Sequence, residues 1–220
     1  MGGQARLDRP HRRRTGWLVA GIAALVVLMV VGLRGDLKWH VIPKRWDTVE
    51  EPYIYRSGRL SRYLVREMLE KHQIQVVIDM APTRDDDPDY QAELRATKEL
   101  GIKYHHYTLD SDGTGDIEEY LQALVTLVEA HRARQRVWVH CYSGLHRSGA
   151  LVALWRMFFQ GRSSDEAYEE YASYLRERSD GQILIDYFDE HLRSLVDGLL
   201  ESGTLEVDPG PSVVFGPTIQ

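Results

Sequence analysis

Cysteine is almost absent from this sequence, and positive charge is in deficit. The 220-residue chain contains a single cysteine, Cys141, which excludes an intramolecular disulfide and any cysteine-rich zinc site. The chain has 27 Lys and Arg against 33 Asp and Glu, so a surface for nonspecific nucleic-acid binding is not expected. Hydrophobic residues make up 43% of the chain, which is enough for a packed globular core and argues against disorder over the whole chain.

The charge is unevenly distributed. Residues 1–45 carry nine Lys and Arg against two Asp and Glu, whereas residues 46–220 carry eighteen against thirty-one. Residues 15–33 form an uncharged apolar run, and about twenty such residues suffice to cross a bilayer as a helix. Three arginines directly precede this run, so an uncleaved transmembrane anchor is predicted. A cleaved signal peptide and a buried helix are the alternatives, but no clear small-residue cleavage site follows the run.

The anchor divides the chain into five segments. A basic segment, 1–14, precedes the membrane anchor, 15–33, and a linker, 34–45, leads to the functional domain, 46–201. Residues 202–220 contain three prolines and three glycines and are predicted to form a flexible tail. Basic residues flank both ends of the anchor. The positive-inside rule therefore favours an extracytoplasmic domain by five basic residues to four, without deciding the orientation.

The domain alternates between β-branched runs and amphipathic stretches. The alternation predicts an α/β fold with a central, mostly parallel sheet flanked by helices. Strands are expected at 53–56, 74–78, 102–107 and 136–140. Helices are expected at 61–72, 89–101, 116–132, 148–160, 163–178 and 185–200. Ligands of such sheets bind beyond the carboxyl ends of the strands, which directs attention to the loop after His140.

That loop contains a Cys-x5-Arg pattern that begins at Cys141 and ends at Arg147. A tight turn between a strand and a helix points backbone N–H groups inward, and with the helix N-terminus they form an anion cradle. Gly144 permits a backbone conformation that a Cβ would hinder. Arg147 can bind two phosphate oxygens at once, and the same positive field favours the thiolate of Cys141. His140 is expected to orient the loop through hydrogen bonds.

The pattern His140-Cys141-x5-Arg147-Ser148 resembles the cysteine-dependent protein tyrosine phosphatase superfamily, and most closely its dual-specificity and atypical members. The resemblance implies a cysteinyl-phosphate intermediate that water hydrolyses, with no metal and no cofactor. It also implies that the Ser148 hydroxyl eases release of the thiolate. The residues between Cys141 and Arg147 are the expected substrate contacts, namely Tyr142, Ser143, Gly144, Leu145 and His146.

The leaving oxygen needs a proton donor, and the family takes an aspartate from a loop about thirty residues before the cysteine. Asp110 and Asp112 lie 31 and 29 residues before Cys141. The Asp112-Gly113 dipeptide resembles the acid loop of the family and favours Asp112, but both residues remain candidates for the general acid.

The motif predicts a phosphomonoester hydrolase, most simply a tyrosine or dual-specificity protein phosphatase whose partner is a phosphorylated protein. The same chemistry would suit a phospholipid such as phosphatidylglycerol phosphate, or an inositol phosphate. Leu145 stands where the inositol pyrophosphate branch has a lysine, which argues against a polyanionic substrate. An inactive phosphate-binding module is a third hypothesis. Sulfur transfer is weaker, because rhodanese-like loops do not require this arginine spacing. Arsenate reduction is weaker, because it usually needs further thiols and this chain has none.

Overall fold

A computed structural model describes residues 21–22, 36–175 and 177–217 of the chain. The predicted anchor at 15–33 therefore lies outside the described residues, apart from Gly21 and Ile22, and stays a prediction. Over the described ranges, no helix combines the length and the apolar composition that a membrane crossing requires.

Five strands form one mixed sheet. In chain order they are β1 (Asp47–Glu50), β2 (Ile54–Gly58), β3 (Val76–Asp79), β4 (Lys103–His106) and β5 (Val137–Cys141). Their order across the sheet is β1-β2-β5-β3-β4, and every neighbouring pair is parallel except β1 with β2. The sequence did not predict β1, because this short edge strand is half exposed and lacks a β-branched run. The other four strands confirm the predicted, mostly parallel sheet.

Helices cover both faces of the sheet, as predicted. They are α1 (Val65–Lys71), α2 (Pro88–Leu100), α3 (Ile117–Arg132), α4 (His146–Phe159), α5 (Ser164–Ala172) and α6 (Gln182–Glu201). Alternate side chains of β5 enter two separate cores. Trp138 packs with residues of α1 and α2, whereas Val137 and Val139 pack with residues of the four later helices. Burial on both faces explains why the central strands are continuously apolar.

The helix ends follow local side-chain chemistry. The Asp116 carboxylate accepts a hydrogen bond from the Glu118 N–H and caps α3, at the predicted start of this helix. Ser163 and Glu166 form a reciprocal capping box at the start of α5. However, α5 ends at Ala172 rather than near residue 178. The helix α4 begins at His146, two residues before the predicted start, and this places Arg147 in its first turn.

The strand register brings three strand ends together. Gly58 pairs with Cys141, and Asp79 pairs with His140 on the other side of β5. Because these three strands are parallel, their carboxyl ends lie at one edge of the sheet. The loop after β5 therefore emerges between the end of β2 and the end of β3.

The C-terminal segment packs against the domain, where a flexible tail was expected. The ring of Phe215 is 1% exposed and lies against Tyr168, Tyr171 and Phe188. The Ser164 hydroxyl lies 2.7 Å from the carbonyl oxygens of both Val214 and Gly216. The glycines and prolines of this segment form turns, and the Phe215 ring holds the segment against α5 and α6.

Replacement of Phe215 by alanine is expected to destabilise the domain by about 3 kcal/mol, because it removes a fully buried aromatic ring. Urea unfolding followed by circular dichroism measures this difference. Val207→Ala is the matched control in the same segment, since Val207 is 75% exposed. Equal stability of the Phe215→Ala variant and the native chain would show that the segment is not docked in solution.

Candidate active site

The loop between β5 and α4 folds around the sulfur of Cys141. The Gly144 N–H donates a hydrogen bond to Sγ at 3.2 Å, and the Ser148 hydroxyl oxygen lies 3.4 Å from the same sulfur. Cys141 and Ser148 are both fully buried. The predicted nucleophile therefore lies at the floor of a loop whose donors point toward it.

Gly144 is the residue that allows this loop to close. Its φ is +76°, a left-handed conformation that glycine adopts readily. A Cβ at this position would lie 2.4 Å from the Gly58 nitrogen at the end of β2. Any larger residue would therefore push the loop away from the sheet.

The environment of Cys141 favours the thiolate. Burial alone raises the pKa of this thiol, but the Arg147 guanidinium and the hydrogen bonds from Ser148 and Gly144 lower the pKa from 9.0 to about 7. A large fraction of the thiol is then ionised at neutral pH. A thiolate is the nucleophilic form of cysteine, so the loop prepares Cys141 for attack on an electrophilic centre.

Arg147 connects the loop to the segment that carries the candidate acids. It is only 3% exposed, and its Nη1 donates to the Leu109 carbonyl at 3.5 Å. Its Nε is buried without a hydrogen-bond partner among the described residues. A buried donor of this kind is costly to leave unsatisfied, and an anion in the loop would satisfy it.

His140 belongs to a buried polar network beneath the loop. Its Nε2 lies 2.7 Å from a Glu93 carboxylate oxygen, and its ring stacks on Trp138 with centroids 4.1 Å apart. Asp79 lies 3.6 Å from Nδ1 and also accepts hydrogen bonds from Arg59 at 2.9 Å and from Tyr104 at 2.8 Å. The network holds the strand end that carries Cys141, in keeping with the expected orienting role of His140.

Burial by itself lowers the pKa of His140, but Glu93 and Asp79 raise it above the ordinary value. The His140 ring and the Arg59 guanidinium face two buried acidic side chains, Asp79 and Glu93. One ligand atom each of Asp79, Glu93 and His140 lies within 4.8 Å of the others, an arrangement that could hold a metal ion. Each of the two acidic side chains already has a basic partner, since Arg59 lies 2.9 Å from Asp79 and His140 lies 2.7 Å from Glu93.

The two candidate acids have different environments. The half-buried Asp112 accepts hydrogen bonds from the Thr114 N–H at 3.1 Å and from the Thr114 hydroxyl at 2.8 Å. Burial raises the pKa of Asp112, but these two bonds and the nearby His146 give a net lowering. Asp110 is exposed. The geometry thus brings Asp112 into electrostatic contact with the Cys141 loop.

The remaining predicted contacts line the loop at different depths. Tyr142 is 45% exposed at the rim, and the Ser143 hydroxyl accepts a hydrogen bond from the Leu145 N–H at 3.3 Å. His146, another expected substrate contact, is half-buried, with Nδ1 2.9 Å from the Tyr171 hydroxyl. Its ring is therefore oriented by α5.

A cleft of about 430 Å³ opens beside Tyr142. Its walls come from the segment before β1, the connection between β2 and α1, and the loop before α2 with the first turn of that helix. The lining includes basic residues, among them Lys44 and Arg84, and acidic residues, among them Asp86 and Asp89. The cleft meets the catalytic loop at Tyr142 and has room for groups that flank a phosphate.

A buried thiolate, an arginine after five intervening residues and a loop at the carboxyl edge of a parallel sheet together define a cysteine-dependent phosphatase site. Residues 57–195 match the family model described as "Dual specificity phosphatase, catalytic domain". The chain therefore belongs to the dual specificity phosphatase family. This match confirms the resemblance that the Cys141 motif indicated.

Individual relatives are more distant. The tyrosine-protein phosphatase-like protein OCA2 of Saccharomyces cerevisiae is 31% identical over 127 residues, which cover 56% of this chain and 62% of that protein. The chain thus spans less than two thirds of the length of this curated relative.

Solved structures share the fold. The core catalytic domain of the PP-IP phosphatase SIW14 from S. cerevisiae, crystallised with citrate, has a TM-score of 0.56 at 22% identity and covers 71% of this chain and 93% of its own. PTPMT1 in complex with PI(5)P has a TM-score of 0.51 at 19% identity, covering 68% of this chain and 97% of its own. At such identities the likeness concerns the fold alone.

Several residues around the loop were not identified from the sequence. Lys44 and Arg45 were assigned to a linker, yet both donate to carbonyl groups of the catalytic loop. Glu93 was read only as part of a helix, although it bonds to His140. No local pattern marks these residues, because each contacts the loop from a distant part of the chain.

Proposed function

We propose that this protein is a phosphomonoester hydrolase that works through a cysteinyl-phosphate intermediate on Cys141. The observation that carries the proposal is the convergence of the Arg147 charge, the Gly144 N–H and the Ser148 hydroxyl on one buried sulfur. An inactive phosphate-binding module would have no need for a thiol whose pKa is lowered to about 7.

In the first step, the Cys141 thiolate attacks the phosphorus atom while Arg147 and the loop N–H groups hold the equatorial oxygens. The S–P bond forms as the bond to the leaving oxygen breaks, and the electron pair stays on that oxygen. A carboxyl group donates a proton to it, so that an alcohol or phenol departs.

In the second step, water attacks the phosphorus of the cysteinyl phosphate. The carboxylate that gave up its proton accepts one from this water. The S–P bond breaks, the electron pair returns to sulfur, and inorganic phosphate leaves. The Ser148 hydroxyl, 3.4 Å from the sulfur, stabilises the departing thiolate by donating a hydrogen bond.

Asp112 is our choice for the acid, because it lies near His146 and the loop, whereas Asp110 is exposed. Its lowered pKa keeps it ionised in the free enzyme, so it must gain a proton when substrate binds. A bound phosphate dianion beside the carboxylate raises its pKa by like-charge repulsion. The hydrogen bonds from Thr114 lower the pKa of Asp112 and therefore oppose this protonation.

We favour a phosphorylated protein as substrate over a polyphosphorylated inositol or a phospholipid. The cleft beside Tyr142 combines aromatic walls, Trp39 and His40, with charges of both signs. Such a mixture suits the varied side chains of a peptide. A polyanionic substrate would be repelled by Asp86 and Asp89, and the OCA2 relative is named for likeness to a tyrosine-protein phosphatase.

A lipid or inositol phosphate is the second candidate, because Lys44 and Arg84 also line this cleft. The structural neighbours that are named for a PP-IP phosphatase and for a PI(5)P complex make the same fold compatible with these substrates.

Substrate class is testable with the 220-residue chain, purified in a non-ionic detergent with chelator present. We expect phosphate release from phosphotyrosyl peptides to exceed that from phosphatidylglycerol phosphate, PI(5)P and an inositol pyrophosphate, and Cys141→Ser to abolish it. Asp86→Lys should raise kcat/KM for the inositol pyrophosphate about tenfold, which corresponds to about 1.4 kcal/mol of repulsion removed.

Asp85→Lys is the matched control, because Asp85 is exposed and does not line the cleft. A wild type that cleaves the inositol or lipid substrates faster than every phosphopeptide would contradict the preferred substrate class. Undiminished hydrolysis by Cys141→Ser would contradict the proposed function itself.

The acid is identified through the pH profile of phenyl phosphate hydrolysis, whose poor leaving group requires the proton. Asp112→Asn should lower kcat by about 10²-fold, the typical contribution of general acid catalysis. Thr114→Val removes a hydrogen bond that lowers the pKa of Asp112. The carboxyl group then stays protonated to higher pH, so the alkaline limb of kcat should move upward. A large loss in Asp110→Asn, with an unmoved limb in Thr114→Val, would assign the role to Asp110.

A further inference from the structure

Three consecutive carbonyl groups of the catalytic loop are held by cations from outside it. The Lys44 ammonium donates to the Tyr142 oxygen at 3.0 Å, and Arg45 Nη1 donates to the Ser143 oxygen at 2.8 Å. Arg56 Nη2 donates to the Gly144 oxygen at 2.8 Å. All three cations lie far from the loop in the sequence, and two precede the first strand.

The direction of a carbonyl group fixes the direction of the next N–H. A trans peptide unit is planar, and its C=O and N–H bonds point to opposite sides. When the carbonyls of residues 142–144 are held outward, each following N–H group points to the opposite side of its peptide unit. Of these N–H groups, that of Leu145 lies 3.3 Å from the Ser143 hydroxyl oxygen. The Gly144 N–H indeed reaches the Cys141 sulfur at 3.2 Å.

The segment that carries Lys44 and Arg45 is itself fixed to the domain. The Gly58 N–H donates to the Lys44 carbonyl at 2.8 Å, and the Lys44 ammonium also lies 4.6 Å from the ring centre of Tyr142. Arg45 has a φ of +51°, a left-handed conformation that a non-glycine residue keeps only where its surroundings impose it. The next residue, Trp46, stacks on Tyr55 with ring centroids 5.5 Å apart.

Arg56, in β2, is the third cation that binds a loop carbonyl. It is 1% exposed, its guanidinium lies 4.0 Å from the ring centre of Tyr174, and it forms no ion pair with a carboxylate in the described part of the chain. Its Nε and Nη1 are buried without hydrogen-bond partners in that part. The one described hydrogen bond of this buried guanidinium goes to the Gly144 carbonyl, so its evident role is to position the loop.

We propose that Lys44, Arg45 and Arg56 are positioning residues that hold the loop carbonyls outward and so preorganise its N–H groups for a phosphate oxyanion and for the Cys141 thiolate. Lys44 and Arg45 thereby make the segment before the first strand part of the active site. The inference deepens the proposed function and rests on the same loop binding phosphate.

The test uses the single cysteine, since alkylation by iodoacetamide then reports Cys141 alone. The 220-residue chain in non-ionic detergent is alkylated across a pH series, with and without inorganic phosphate as the probe. Wild type should show an alkylation midpoint at a pH of about 7. Arg45→Met and Lys44→Met should each raise the midpoint by about one unit, as for removal of a nearby opposite charge. Each should also weaken protection by phosphate about tenfold, which is the same free-energy change.

Arg45→Lys keeps a charged hydrogen-bond donor at this position. Its alkylation midpoint and its protection by phosphate should therefore lie close to those of wild type, which distinguishes a positioning role from a loss of folding. Lys38→Met is the matched control, since Lys38 lies in the same segment against Trp39 and its ammonium group makes no described hydrogen bond to the loop. Thermal unfolding identifies any variant that has lost its fold, in which case the remaining Lys44 and Arg45 variants carry the comparison.

Midpoints and phosphate protection that match wild type in folded Lys44→Met and Arg45→Met would overturn the proposal. A shift of equal size in Lys38→Met would also overturn it, because general surface charge would then explain the effect. Neither readout requires turnover. A wild type that binds phosphate but hydrolyses nothing would therefore contradict the proposed function and leave the positioning role decided by the same data.

Discussion

A buried negative charge at Cys141 is the constraint on which the site depends. A thiolate removed from water is costly unless opposite charge and hydrogen bonds replace its hydration. Here the Arg147 guanidinium, the Gly144 N–H and the Ser148 hydroxyl supply that replacement, and they bring the pKa of the thiol to about 7 despite complete burial. The same groups would bind a phosphate dianion, so one arrangement both forms the nucleophile and places its target.

The fold provides this arrangement through the edge of a parallel sheet. The end of β2 lies beside Cys141, where Gly58 leaves room for Gly144 to approach the strand backbone. On the opposite side, the strand end is tied to Glu93 and Asp79 through His140. The catalytic loop is therefore supported by strands and buried charges, which are more rigid than surface loops.

Local sequence patterns predicted the catalytic motif better than they predicted the residues that surround it. The motif from His140 to Ser148 indicated the nucleophile, the anion cradle and the family, because all of its parts lie within nine residues. The central strands and the caps of α3 and α5 were also predictable, since burial periodicity and capping side chains act over short distances. The starts of α1, α2 and α4 were misplaced, because α1 and α4 have no side-chain cap and α2 is capped by Asp87 rather than Asp89. The general acid stayed open between Asp110 and Asp112, because spacing alone does not show which carboxylate turns toward the loop.

Contacts between distant segments could not be predicted in this way. The composition of residues 202–220 favours a tail, but the Phe215 ring packs against residues of α5 and α6, and no local pattern shows this contact. Likewise, Lys44 and Arg45 read as charges beside a predicted anchor, and only the three-dimensional arrangement brings them to the loop carbonyls. Such roles depend on tertiary packing, which the local sequence does not specify.

The most direct test of the account is to look for the phosphoenzyme. Wild-type protein is mixed with an aryl phosphate that has a good leaving group, denatured in acid during turnover, and mapped by mass spectrometry. The account predicts one phosphoryl group on Cys141 and none in the Cys141→Ser variant. Turnover without a phosphoryl group on Cys141, or with the group on another residue, would contradict a mechanism built on this thiolate.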